Sequence, residues 1–302
     1  MPVSRPAVGD AANGRPVTIS HPERVLWPED GLTKADLVAY YRTLAPVLLP
    51  HVRDRPLVMR PFPRGIHAPG YYRQTLPKSA PAWLPRFRHV AKVDRRVNEM
   101  PVIDDLSVLL WLANQAAIEI HPWLSRIDRP EQPDVVVFDL DIERPERFPA
   151  ALKVALLLRD ALERRGMLCY AKTSGGDGVH VYVPIARGPR YEETRAWAQA
   201  VAEALERAYP DLVTTHLRRE SRREQVLVDY AQNALGRTTV AVYSVRPRPG
   251  APVSTPLAWD EVAAGAVRPG DFTMRTVPKR VQRLGDLFAP VLVGGQQLPT
   301  PL

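Results

Sequence analysis

Residues 135–141 read Val-Val-Val-Phe-Asp-Leu-Asp, an apolar run that ends on two carboxylates one residue apart. Strand side chains alternate between faces, so Asp139 and Asp141 are predicted to project together from the strand's end. The pattern returns at Val226-Leu227-Val228-Asp229, a short apolar strand closed by an aspartate. Between the two, the period changes. Pro149 is placed for a helix start, Leu152, Ala155, Leu156 and Leu162 make a helical stripe, and Gly166 occupies the favoured stop position. Met167 to Thr173 reads as a strand, Ser174-Gly175-Gly176-Asp177-Gly178 as a tight turn, and Val179 to Ile185 as the returning strand. A long helix is predicted over about Tyr191 to Ala208, and a last strand over Thr238 to Tyr243.

The first third of the chain is less regular. Thr33 is the expected N-cap of a helix running to Leu49, with Leu37, Tyr40, Tyr41 and Leu44 on one face. Residues 57–103 mix short strands with Pro-rich turns, and residues 86–100 read as a basic, loop-like segment. Leu106 to Ile120 is the most apolar stretch but is interrupted by Asn114, Gln115 and Glu119, so it reads as a buried helix capped by Asp104 or Asp105 rather than a membrane span. The fold class expected is mixed α/β, with antiparallel or mixed central sheets flanked by helices. Residues 1–17 and 291–302 are expected to be tails around a single domain over 18–290.

Composition narrows the function classes. The chain has 302 residues, 45% hydrophobic and 25% charged, the profile of an ordinary globular protein. A net charge of +8 favours an anionic partner, nucleic acid first. With Cys169 the only cysteine, disulfide frameworks and cysteine-based zinc clusters are excluded. Met1 to Arg15 carries no apolar run, so a secretory signal is not expected, and the expected location is the cytoplasm, associated with the nucleoid.

Carboxylates suit hard divalent cations such as Mg²⁺ or Mn²⁺, which would relieve the repulsion between Asp139 and Asp141. A strand running out into a solvated acidic turn gives the same string. The glycines of the 174–178 turn let backbone amides approach an anion, with His180 two residues into the next strand; a plain hairpin and a core histidine are the alternative. Arg246 follows the third segment, where arginine suits bidentate phosphate contacts. Together these are the parts of nucleotidyl transfer, in which two cations about 3.5–4 Å apart clamp the attacking and leaving oxygens. Tyr71 and Tyr72 beside Arg60, Arg64 and Arg73 suit base stacking with phosphate contact. Lys34 falls in a helix's first turn, where a cation is unfavourable unless an anion joins it.

The sequence resembles the archaeo-eukaryotic primase superfamily, and more closely the polymerase domain of bacterial ligase D, which works in non-homologous end joining. The resemblance runs through Arg24-Val25-Leu26-Trp27-Pro28, Thr33-Lys34, residues 116–121, Phe138-Asp139-Leu140-Asp141, residues 173–182, residues 228–233 and Tyr243-Ser244-Val245-Arg246. It implies Asp139, Asp141 and Asp229 as metal-binding catalytic residues with two Mn²⁺ or Mg²⁺ ions. It implies Ser174, Gly175, Gly176, His180, His121 and Arg246 at the triphosphate of an incoming NTP or dNTP. Arg24 and Lys34 match residues that grip a 5′-phosphate at a DNA gap or end, Tyr71 and Tyr72 an aromatic pair on the template, and Arg60 and Arg222 basic positions along the nucleic-acid path. Implied with them are template-dependent, ribonucleotide-tolerant synthesis in break repair, Ku and a DNA ligase as partners, no membrane, and a monomer or a dimer on bridged ends. The chain departs at Asp177, where relatives often carry a lysine. Two other classes fit parts of the pattern: a haloacid-dehalogenase-type phosphatase, which also carries Asp-x-Asp after an apolar strand, and a non-catalytic DNA-end binding module.

Overall fold

The computed structural model describes residues 15–90, 95–216 and 224–299. Asp139 and Asp141 close β7 (Val135–Asp141), the central strand of a six-stranded sheet. Its neighbours are β11 (Val226–Asp229) and β9 (Val179–Pro184), both antiparallel. Outward lie β10 (Val213–Thr214), parallel to β11, and β8 (Tyr170–Thr173) and β12 (Pro256–Leu257), giving the order β10–β11–β7–β9–β8–β12. The mixed, mostly antiparallel sheet is the one expected from the hairpin.

Alternation along β7 sets the two faces. Val136, Phe138 and Leu140 are fully buried on the helical side, where Phe138 meets Trp197 of α4 (Tyr191–Ala208), ring centroids 6.1 Å apart. Beside α4 on that face packs α3 (Phe148–Glu163), which carries Pro149 in its first turn and is followed by Gly166 at φ +71°. The opposite face carries Asp139. Register aligns Asp229, Asp139, His180 and Lys172 as directly opposed residues on four consecutive strands, so they form one row across the sheet. Only a period-2 ladder can do this: a slip of one residue would turn the aspartates into the α3–α4 core.

A second layer covers the carboxylate face. There β1 (Val25–Trp27) and β2 (Leu32–Thr33) lead into α1 (Lys34–Val52), capped by a reciprocal pair, Thr33 N donating to Asp36 and Asp36 N to the Thr33 hydroxyl. The helix runs past Leu49 to Val52, its last turn tied by His51 to Asp286 at 2.8 Å. β3 (Leu57–Pro61) pairs with β6 (Ala117–Pro122), and the segment expected as loop-like over 86–100 contributes β4 (Arg86–Val90), which pairs antiparallel with β5 (Val97–Pro101). The C-terminal part adds α5 (Trp259–Ala264) and α6 (Val277–Leu284).

Three expectations change. The apolar stretch 106–120 is not one helix: α2 (Leu106–Asn114), capped by Asp105, stops, Ala116 turns at φ +53°, and Ile118 and Ile120 continue as β6. Their β-branched side chains suit a pleated surface and are stiff in a helix. Thr238 to Tyr243 is no strand, because its polar groups are shared among several elements: Thr239 meets Tyr182, Val240 O accepts from Lys172, and Ala241 N donates to Ile120 O. Residues 291–299, expected to trail loosely, are fastened by the Gln296 side chain, which donates to Leu168 O and Pro184 O.

β11 ends opposite Asp139, leaving Val137 of β7 without a strand partner on that side. The buried Asn233 amide completes the ladder, accepting from Val137 N at 2.9 Å and donating to Val137 O at 2.7 Å. This clasp holds the 229–233 turn against β7. Replacing Asn233 with Ala strands two buried backbone groups, each worth about 1–3 kcal/mol. The urea midpoint of Asn233→Ala is therefore expected to fall with the slope unchanged; an unchanged midpoint would show the clasp to be dispensable.

Candidate active site

Asp139 and Asp141 open on a cavity of about 570 Å³ that also takes in His121, Ser174, His180 and Arg246. Burial pushes the Asp139 carboxyl up to about 6, against the pull of Lys172 and Arg246. Its Oδ1 is buried with no hydrogen-bond partner, with His180 Nε2 3.2 Å away but off line. An orphaned carboxylate oxygen beside a second aspartate fits a hard divalent cation. Asp229 faces Asp139 across the ladder, and burial first, then Asp139, raises its pKa. Its carboxylate is held by its own turn, accepting from Ala231 N and Gln232 Nε2, each at 2.8 Å. Among the described residues no three acidic, histidine or cysteine side chains are drawn together as a finished metal cluster. The backbone thus brings the three aspartates to one place while Asp229 remains turned into the protein.

Lys172 went unnoticed in the sequence and is fully buried in this row. Its Nζ donates to Val240 O (3.1 Å) and Ser254 Oγ (2.7 Å) and lies 3.0 Å from His180 Nδ1, and burial lowers its pKa well below the ordinary lysine value. With Nδ1 turned to Lys172, Nε2 is the ring nitrogen that faces Asp139. Burial, then Lys172, depresses the His180 pKa well below its ordinary value, so the ring is neutral. The signal was present in the hairpin: a turn centred on Gly176 pairs residue 172 with residue 180.

The glycine turn is built by close approach. A Cβ on Gly178 would lie 2.5 Å from Leu140 O, and one on Gly175, at φ +70°, 2.8 Å from Arg246 Cγ. Two of the turn's amides, Gly176 N and Gly178 N, donate to Ser174 Oγ at 3.1 Å. The turn therefore offers an anion the Ser174 hydroxyl more than an open nest of amides. Asp177 does not face the cavity unneutralised, since Arg248 Nη1 pairs with it at 2.8 Å.

Arg246 and His121 converge on Glu119, a residue the sequence reading passed over although a carboxylate inside Ala-Ile-Glu-Ile-His is itself a signal. Arg60 joins them from β3, stacked 4.9 Å from both the Phe62 and Tyr72 rings. Tyr71 and Tyr72 are 45% and 61% exposed and lie outside any strand. Tyr72 meets His121 edge-on at 5.5 Å and borders the cavity, with Tyr71 exposed beside it. Arg24 and Lys34 also come together, Lys34 N donating to Arg24 O at 2.8 Å. The Lys34 ammonium is turned inward to Ser20 O, and burial followed by Arg24 lowers its pKa to about 8. Arg222 lies outside the described residues.

Residues 33–288 match the family model described as LigD, primase-polymerase domain. The multifunctional non-homologous end joining protein LigD of Mycolicibacterium smegmatis is 33% identical over 277 residues, 91% of this chain and 36% of that protein. The bifunctional LigD of Bacillus subtilis is 31% identical over 267 residues, 88% of this chain and 42% of that protein. The chain thus spans roughly two fifths of the length of these relatives. Among solved structures, the polymerase domain of Mycobacterium tuberculosis ligase D in complex with DNA superposes with a TM-score of 0.87 at 32% identity, covering 92% of this chain and 99% of that one. With the aspartate row, the glycine turn and Arg246 in place on that fold, the chain belongs to the LigD primase-polymerase domain family of nucleotidyltransferases.

Proposed function

We propose that this chain fills gaps and extends DNA ends in double-strand-break repair by templated nucleotidyl transfer, accepting ribonucleotides as well as deoxyribonucleotides. The observation that carries the reading is the register that sets Asp229 opposite Asp139, with Asp141 on the same face. Membership in the family implies a divalent metal and nucleoside triphosphates in general. Asp139, Asp141 and Asp229 would hold two ions, Mn²⁺ or Mg²⁺, which when bound supply positive charge to the triphosphate and lower the pKa of the attacking 3′-hydroxyl. Arg246 binds phosphate through its planar guanidinium, the Ser174 hydroxyl donates to it, and His121 lines the same wall. Neutral His180, beside Lys172, turns its Nε2 to Asp139 and leaves that carboxylate's charge for a cation. Tyr71 and Tyr72 stack the template strand, with Arg60 on its phosphates. DNA ends or gaps with a 5′-phosphate, Ku and a DNA ligase are the partners that fit, with a monomer or an end-bridging dimer as the working unit. No described helix is long and apolar enough to cross a membrane. The phosphatase and the non-catalytic module gain nothing from the family match.

Insertion of one nucleotide into a gapped duplex tests the reading. Asp139→Ala and Asp229→Ala are each expected to lose more than about a hundredfold in rate, since charge neutralisation at the reacting oxygens is worth several kcal/mol. Full incorporation by either variant would remove the metal site.

Lys34 gives a pH signature for the 5′-phosphate grip. A phosphate favours the charged ammonium, so the bound complex has the higher pKa and binding takes up a proton above pH 8. The affinity advantage of a 5′-phosphorylated over a 5′-hydroxyl gap is expected to hold at pH 7 and to decline above pH 8, toward about tenfold per pH unit. Lys34→Arg, which stays charged, should carry the advantage to higher pH. An advantage flat from pH 7 to pH 9.5 in the wild type would assign the phosphate elsewhere.

A further inference from the structure

Glu119 has 0% of its surface exposed, yet burial, which alone would raise its pKa, is outweighed by His121, Arg246 and Arg60, and the carboxyl sits at about 2. Its two oxygens divide between the two sides of the site. Oε2 accepts from Arg60 Nη1 at 3.0 Å and lies 3.4 Å from His121 Nε2. Oε1 forms an ion pair with Arg246 Nε at 2.7 Å, although the N–H is not aimed at the oxygen, and neither buried atom has a hydrogen-bond partner among the described residues.

Geometry makes this carboxylate a partition. Glu119 and Arg60 line a second cavity of about 380 Å³, and Arg246 lines both that cavity and the aspartate cavity. The guanidinium is planar and rigid, so an anion held against its Nε edge restricts the directions in which the two Nη groups point. Arg246 Nη1 reaches toward Ser174 O at 3.4 Å, at the mouth of the glycine turn. On the other side, Arg60 is the direct cross-strand partner of Glu119 and carries the Tyr72 ring over its guanidinium. With His121 depressed by burial, one anion stands between two permanent cations, leaving an excess positive charge for a phosphate. A carboxylate serving only to fasten β3 to β6 would need Arg60 alone.

We propose that Glu119 is a positioning residue that aims Arg246 at the phosphates of the incoming nucleotide and Arg60 at the template strand, setting both grips from one buried group. The inference rests on the polymerase reading above. It deepens that reading by assigning nucleotide affinity to a residue that touches no substrate.

Single-nucleotide insertion into a gapped duplex with Mn²⁺ tests it, by steady-state kinetics on Glu119→Gln, Arg246→Ala, Arg246→Lys and the Glu119→Gln/Arg246→Ala pair. Glu119→Gln is expected to raise the nucleotide KM about tenfold or more with kcat within about threefold, because the aspartate row is untouched. In the Arg246→Ala background the same substitution should change KM less than about twofold, since its effect passes through Arg246. Arg246→Lys keeps the charge but has no Nε, and should raise KM nearly as far as Arg246→Ala. Multiplicative KM effects in the double variant, equal losses in kcat and KM alone, or a wild-type KM in Arg246→Lys would each overturn the proposal. Should Glu119→Gln fail to fold by circular dichroism, Arg246→Lys decides. Asp139→Ala separates the two levels: insertion by that variant defeats the polymerase reading, whereas an inert Asp139→Ala with an unaltered KM in Glu119→Gln defeats this inference alone.

Discussion

The antiparallel pairing of β11, β7, β9 and β8 is the constraint on which the site depends. It places Asp229, Asp139, His180 and Lys172 side by side on one face of a sheet whose other face is sealed by α3 and α4. An ionised carboxylate in such a place is costly unless a cation or a proton compensates it. The protein supplies part of that compensation through Arg246 and, when protonated, Lys172, and still leaves Asp139 with a pKa near 6 and an oxygen without a partner. A site so prepared favours arrival of further positive charge, which is the physical reason a row of buried aspartates reads as a cation site rather than a defect.

The same economy of charge governs the wall opposite. Glu119 is buried between Arg60 and Arg246, and breaking such a buried pair by removing one partner costs about 3–5 kcal/mol. Arginines there are held by a fixed anion, so their outward groups are oriented before any phosphate arrives. Preorganisation of this kind lowers the ordering cost of binding. Asp177 is the exposed counterpart: paired with Arg248 at 2.8 Å, it anchors a cation at the cavity mouth. At the glycine turn of this chain, positive charge at the cavity mouth comes from the loop that carries Arg246 and Arg248.

One of the strained residues lies close to the site. Tyr243, three residues before Arg246, adopts φ +63°, a conformation rare for a bulky aromatic. It is fastened at several points, its hydroxyl to Asp286, its amide to Ser254 O and its carbonyl to Tyr40. That network, with the close approach of Gly175 to Arg246, fixes the path of the segment 243–248 over the sheet.

Local pattern alone determined much of this. The apolar run into Asp139 and Asp141, the Thr33 cap, the helix over Tyr191 to Ala208 and the hairpin about Gly176 depend on neighbours in sequence, and each was legible from periodicity and capping chemistry. Where a segment's partners lie far along the chain, the sequence was silent or misleading. Thr238 to Tyr243 has strand-forming residues but shares its hydrogen bonds among several elements, and the stretch 106–120 divides because Ile118 and Ile120 find a cross-strand partner in β3. Glu119 and Lys172 looked like ordinary charges. Only the tertiary structure, by removing both from water and setting them against Arg246 and His180, decided that they belong to the site, because the energy of a charge is fixed by what surrounds it in space and not by its place in the chain.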